Sequence, residues 1–215
     1  MTHSVDENEI QQFSKDSDRW WDEKGPFAPL HRLNPVRMAY IKRQICEHYD
    51  RDVNGLDALK SLNIIDIGCG GGLVCEPLAR LGGKVTGADA DAQAMSVAKA
   101  HADESGLKIK YENKPAEDIK KQFDVVLALE IIEHVRDPAA FVKSVSALAK
   151  PGGLIIFSTL NRNPKSFLLG IVAAEYILRW VPKGTHSWKK FIKPSELSRF
   201  ARQADLKTKD VTGLI

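Results

Sequence analysis

Between residues 61 and 72 the chain runs "SLNIIDIGCGGG", an apolar stretch too short for a helix that breaks into glycines. Such a stretch reads as a buried strand ending at a turn where the backbone needs conformations open to glycine. The rhythm recurs downstream. Strand-like "KVTGAD", "KIKYEN", "FDVVLAL" and "LIIFSTL" alternate with helical stretches near 72–82, 91–104, 137–149 and 194–204. "KPGG" reads as a turn before the fifth strand, and "KTKDVT" as a last strand. This alternation predicts an α/β fold, a mainly parallel twisted sheet with right-handed crossovers and helices on both faces. Ligands on such a sheet bind beyond the carboxyl ends of the strands.

Residues 1–60 read as an N-terminal helical extension ahead of a domain spanning 61–215. "NPVRMAYIKRQICEHY" offers Asn34 as N-cap and Pro35 at the first helical position, and the preceding "RWWDEKGPFAPLHRL" reads as an ordered loop. A chain of 215 residues suits one domain with a real core. Its net charge of +3 neither demands nor excludes a nucleic-acid partner. Cys46, Cys69 and Cys75 have no CxxC spacing and read as reduced thiols of a cytoplasmic protein. The polar, acidic start fits neither a secretory signal nor a transit peptide, and no run of 18 apolar residues predicts a span.

"DIGCGGG", residues 66–72, sits at the first strand-to-helix turn, but Leu73 stands where a dinucleotide fingerprint needs its third glycine. Asp89 ends the second strand, 21 positions after Gly68, where an acid can accept both ribose hydroxyls. Asp66 lies two residues before Gly68. Its carboxylate would repel a pyrophosphate and would suit a ligand bearing an ammonium and a sulfonium, namely S-adenosyl-L-methionine. The bland alternatives are a tight turn and a surface acid.

From "IIDIGCGGG" through "VTGAD", "AEDI" and "FDVVLALEIIEHV" to "LAKPGGLIIFSTLN", the chain resembles the class I S-adenosylmethionine-dependent methyltransferases, with their Rossmann-like fold. The flanking "PLHRLNPVRMAYI" and "VPKGTHSWKKFIKPSEL" are similar to the ubiquinone-biosynthesis O-methyltransferases, which methylate catechol-type hydroxyls on polyprenylated rings in two steps. The resemblance covers all but the first dozen residues. It implies that the loop around Gly68 and Gly70 holds the methionine portion of the cofactor, Asp89 the ribose, and Arg37 the carboxylate. Ala116 and Glu117 would lie near the adenine, and Leu129 would line the pocket. S-adenosyl-L-homocysteine would be the product. Arg37 also reads as an arginine on a solvated helix face. Members of the class usually finish with an antiparallel hairpin, and this chain stops at "DVTGLI", so the final strand is expected to be missing, as in a shortened chain or gene product.

"ALEIIEHVRDP" carries Glu130, Glu133 and His134 at i, i+3 and i+4. A helix starting at Glu130 would place all three on one face. They could hold a divalent cation, serve as acid and base, or decorate a helix start. The motif is similar to the metal-binding motif of the family, which implies Mg²⁺ most readily, bound by Glu130, Glu133 and His134 at the acceptor phenol. His186 is an outside candidate for the same site.

"SFLLGIVAAEYILRWVP", residues 166–182, lies within an insertion at 165–193 whose basic and Trp flank includes Lys183, Trp188, Lys189, Lys190 and Lys193. It reads as a lid or an interfacial helix that meets an anionic membrane surface, and otherwise as a buried helix. The resemblance further implies a polyprenylated phenol or catechol substrate, peripheral placement at the inner face of the membrane, and contacts with other ubiquinone-pathway proteins. Nucleic acid is not expected, although a ribose methyltransferase of RNA shares this chemistry. A nicotinamide oxidoreductase is disfavoured by Asp66 and the absent third glycine, and a non-catalytic binding module is the remaining alternative.

Overall fold

The glycine-terminated run becomes the centre of a sheet. In the computed structural model, which describes residues 4, 6–167 and 188–214, β1 (Asn63–Ile67) pairs on both sides. Its neighbours are β2 (Lys84–Asp89) and β4 (Phe123–Leu129), while β3 (Lys110–Asn113) and β5 (Ala149–Ser158) take the outer places. The order is β3-β2-β1-β4-β5 and every pairing is parallel. Chain order reverses between β1 and β4, which opens the crevice beyond their carboxyl ends.

β4 shows why the sheet is buried on both faces. Val125, Leu127 and Leu129 pack with Ile64, Leu78 and Val85 in one apolar cluster. Val126 and Ala128 pack with Ile65, Ile67, Phe141 and Val142 in the other. Side chains alternate along a strand, so an uninterrupted apolar run feeds both layers. The crossovers are α3 (Cys75–Arg80), α4 (Ala92–Glu104) and α5 (Pro138–Ala147). Asp91 caps α4 by accepting from Gln93 N and Ala94 N, and Asp137 caps α5 in the same way.

Four local expectations need correction. α2 runs Ala28–His48, so Pro35 lies inside it, Asn34 is not its N-cap, and part of the expected loop is helical. The helix starts early because Pro29 already occupies its first turn. The stack of Trp20 on Phe27, 3.8 Å between ring centres, anchors that end. "KPGG" belongs to β5, because Ala149 pairs with Phe123 across an irregularity and Gly152 takes φ 76°. "KTKDVT" forms no strand. It is tied to α2 by side chains, with Tyr40 Oη donating to Asp210 at 2.8 Å. No helix starts at Glu130, whose φ is 52°. A short 3₁₀ turn follows at Ile132–His134.

Beyond β5 come the short helical turn α6 (Pro164–Ser166) and, later, α7 (Pro194–Gln203). Most of the 166–182 segment, His186 and Lys183 lie outside the described residues. No described helix is long and apolar enough to cross a membrane. The N-terminal helix α1 (Glu7–Ser14) docks on the sheet's carboxyl side. Ser14 and Ser17 both donate to the Asp91 carboxylate, and Arg136 N donates to Ser4 O.

Candidate active site

A cavity of about 840 Å³ opens beyond the carboxyl ends of the strands, a size suited to a cofactor and part of a second molecule. Asp66 and Gly68 reach it from the end of β1, Asp89 from β2, Pro115 and Ala116 from beyond β3, and Leu129 and Glu130 from β4. Arg37 of α2 and Ser4, Asp6 and Glu9 of the N-terminal segment close other parts of its wall.

The glycine loop is shaped by close approach. A Cβ on Gly70, which has φ 50°, would fall 2.3 Å from Trp20 Cζ2. The loop is pinned on its other side by Trp21 Nε1, which donates to Gly71 O at 3.0 Å. Trp21 in turn stacks on His101, with ring centres 3.5 Å apart. The sequence reading passed over this aromatic pair, whose signal was the doublet "WW" beside a Pro-containing stretch.

Charge is arranged unevenly in the wall. Asp89 accepts from Gly70 N and Asp91 N, both at 2.9 Å. A carboxylate has about four lone-pair sites, so acceptor capacity remains for hydroxyls. Burial pushes the Asp89 carboxyl up from the usual range. Asp66 is 2% exposed, and its burial outweighs the nearby Arg37 to raise its pKa to about 7. Arg37 is also buried. Burial lowers its pKa while the charges of Asp66 and Glu130 hold it up. One of its terminal nitrogens donates to Asn34 Oδ1 at 3.0 Å, yet its buried Nε has no hydrogen-bond partner among the described residues.

S-adenosylmethionine fits these features. The buried Arg37 Nε calls for an acceptor such as a carboxylate, which a guanidinium can bind in plane. A wall carrying the carboxyls of Asp66 and Asp89 suits a cationic ligand without phosphate. Glu117 is placed differently from Ala116. Its Oε1 accepts from Ser4 N at 3.2 Å, its Oε2 is buried without a partner among the described residues, and it is not a lining residue of the cavity.

Glu130, Glu133 and His134 all line the cavity but are engaged separately. Glu130 Oε1 accepts from Ser158 Oγ at 2.7 Å, and Glu133 Oε2 accepts from Thr159 Oγ1 at 2.9 Å. His134 Nδ1 lies 3.0 Å from Glu9 Oε2. Among the described residues no three His, Cys, Asp or Glu side chains gather as a metal would require. The expected Mg²⁺ chelate is therefore not preformed by these side chains. The left-handed backbone at Glu130 takes it off the helical spacing that would have aligned the three. Burial, with the Glu130 charge adding to it, raises the Glu133 carboxyl to about 8. Burial lowers the His134 pKa against the pull of Glu9, which favours a neutral ring.

Comparison with known proteins settles the family. A family model described as "Methyltransferase domain" matches residues 37–211. The ubiquinone biosynthesis O-methyltransferase of Dinoroseobacter shibae is 50% identical over 100% of this chain and 88% of its own length. The chain belongs to the ubiquinone biosynthesis O-methyltransferase family. Another member, from Bradyrhizobium diazoefficiens, is 49% identical over 99% of this chain and 85% of its own. Among solved structures, the magnesium protoporphyrin IX methyltransferase of Synechocystis PCC 6803 with bound S-adenosylhomocysteine aligns at a TM-score of 0.65. It shares 18% identity and covers 93% of this chain and 89% of its own, a likeness of fold. The five-stranded parallel sheet of this family member, with helices on both faces, is thus a class I methyltransferase fold.

Proposed function

We propose that the chain is an S-adenosylmethionine-dependent O-methyltransferase acting on phenolic hydroxyls of polyprenylated catechol-type intermediates in ubiquinone biosynthesis, at both O-methylation steps. One observation carries the reading. The same cavity holds a buried guanidinium, at Arg37, whose Nε has no acceptor among the described residues, and an imidazole whose pKa burial lowers, at His134. The first suits the cofactor carboxylate, and the second suits the acceptor's proton.

When bound, S-adenosylmethionine supplies an electrophilic methyl group on a sulfonium and leaves as the thioether S-adenosylhomocysteine. The chain's own residues do the rest. Arg37, the loop at Gly68 and Gly70, Asp89, Ala116 and Leu129 bind and orient the cofactor. A phenol resembling tyrosine has a pKa of about 10, so it arrives protonated at neutral pH. His134 accepts that proton as the oxygen attacks, and later releases it to water. The separately engaged carboxylates of Glu130 and Glu133 hold the turn that carries His134.

The test is transfer of a labelled methyl group from S-adenosylmethionine to a short-chain prenyl catechol, with added Mg²⁺ or with chelator. The expected result is one methyl per catechol in both conditions and loss of transfer in His134→Ala. Activity that falls more than tenfold with chelator and returns on adding Mg²⁺ would overturn the base assignment. We place the chain in the cytoplasm, meeting the inner face of the membrane through 166–193, where Lys189 and Lys193 are exposed beside Trp188. Contacts with other pathway proteins would use the same location.

A further inference from the structure

The glycine loop is held from outside the cavity by a ring of contacts that begins and ends on the loop itself. Glu76 stands in the first turn of α3, directly after the loop, and its N donates to Gly72 O at 3.2 Å. Its side chain is only 4% exposed, and its Oε1 lies 2.6 Å from Nδ1 of His101 on α4. Arg80 comes within 3.5 Å of the other oxygen. The His101 ring held in this way lies flat against Trp21, with ring planes 5° apart and centres 3.5 Å apart. Trp21 Nε1 then donates to Gly71 O at 3.0 Å, which closes the ring of contacts. From α2, His31 Nε2 donates to Trp20 O at 2.8 Å, and the His31 ring meets Trp21 edge-on. None of Glu76, His101 and Trp21 is a lining residue of the cavity.

The brace matters because the loop is soft by composition. Gly68, Gly70 and Gly72 take left-handed backbone, at φ 72°, 50° and 86°, and glycine is the residue least restrained to one conformation. Gly68 N and Cys69 N donate to Ala88 O, and Gly70 N donates to Asp89, so these ties all draw the loop towards β2. The Gly71 carbonyl is tied instead to the N-terminal extension, through Trp21. A ligand that meets a loose loop loses affinity to the cost of ordering it, and a loop already ordered avoids that cost. We propose that Trp21, braced by His101 and Glu76, is a positioning residue that holds the glycine loop in the shape that receives S-adenosylmethionine. Because the three side chains stand outside the cavity, their effect falls on cofactor affinity and not on methyl transfer itself.

The proposal rests on the loop holding the cofactor, and Gly70→Ala, measured beside the clamp variants, separates the two. Full-length Trp21→Phe, Trp21→Leu, His101→Gln and Gly70→Ala are titrated with S-adenosylmethionine by calorimetry and assayed for methyl transfer to the prenyl catechol. Urea denaturation gives the stability of each. Trp21→Phe keeps an aromatic ring against His101 and loses the N–H, so affinity should fall about 3- to 10-fold, the range for one hydrogen bond. Trp21→Leu loses the stack as well and should bind at least about 10-fold more weakly. His101→Gln removes the ring behind the indole and should fall between the parent and Trp21→Leu. In both Trp21 variants kcat at saturating cofactor and KM for the catechol should stay within about twofold. Backbone amide signals of residues 70–73 should broaden in ligand-free Trp21→Leu, and S-adenosylhomocysteine should sharpen them again. If Gly70→Ala weakens binding while both Trp21 variants stay within about twofold of the parent, the clamp is overturned, whatever happens to stability in urea, and the loop remains the cofactor's seat. If Gly70→Ala also binds as the parent does, the loop does not hold the cofactor and both readings fall. His101→Gln binding like the parent, beside weakened Trp21 variants, would overturn the bracing by His101 and Glu76.

Discussion

At the scale of single residues, the site depends on groups placed where their ordinary chemistry is disturbed. Gly70 is the plainest case, because two independent demands fall on it. Its φ of 50° strains any side chain, and an added Cβ would sit 2.3 Å from Trp20 Cζ2. Trp20 cannot easily give way, since it is stacked on Phe27 at the start of α2. Gly70 N also donates to Asp89 at 2.9 Å, so a shifted loop would disturb the acid assigned to the ribose. Gly70→Ala should therefore weaken S-adenosylmethionine binding by at least about tenfold, equivalent to about 1.4 kcal/mol, while the chain still folds. Calorimetric titration beside a far-ultraviolet dichroism spectrum would check this. Unchanged affinity would mean that the loop does not cradle the ligand.

At the scale of elements, one side chain fastens three strands at the end of the sheet away from the cavity. Asp124 Oδ2 accepts from Asn63 N at 2.8 Å and Asn63 Nδ2 at 3.0 Å, joining β4 to β1. Its Oδ1 accepts from Lys150 Nζ at 2.6 Å, joining β4 to β5. Burial would raise its pKa, but these donors prevail and hold it down at about 2. Asp124→Ala should cost about 2–3 kcal/mol, chiefly by leaving the Asn63 N–H unpaired rather than by freeing the half-exposed Lys150. Urea denaturation would measure it, with a loss under 0.5 kcal/mol counting against the role. Such an anchor was not legible in the sequence, because an Asp inside "FDVVLAL" gives no sign of its partners. What was legible follows local rules: five strands and the helices between them, set by apolar runs and glycine breaks. The start of α2 was misplaced because Asn34–Pro35 imitates a helix start while Pro29 provides the actual one. The helical alignment expected of Glu130, Glu133 and His134 fails because spacing assumes helical φ, and Glu130 departs from it. Glu9 and His134 are 125 residues apart, and only the docking of α1 brings them together.

At the scale of the whole molecule, the cavity stores ionisable groups in states they would not keep in an unfolded chain, and this ties stability to pH. Glu133 moves from 4.5 to about 8 on folding, and Asp66 from 3.8 to about 7. Across those intervals the folded protein holds protons that the unfolded chain has released, so stability falls as pH rises. His134 acts oppositely, since its pKa is lowered from 6.5 and the unfolded chain binds the extra proton just below that value. Asp124 adds a further loss only at the acid end, where its stabilising contribution disappears as pH falls from 3.8 through about 2. Between pH 7 and 8 the His134 contribution is nearly level, and Asp66, already half ionised near 7, loses most of its remaining proton. The remaining slope belongs mainly to Glu133, at no more than about 1.4 kcal/mol per pH unit for its one proton. Urea denaturation of the ligand-free protein at pH 6.5, 7 and 8 should show stability declining through the series. Glu133→Gln, which keeps a neutral side chain of the same size, should remove at least half of the decline between pH 7 and 8. An identical decline in the variant would show that Glu133 ionises normally, and that its carboxylate already carries full charge beside His134 at neutral pH.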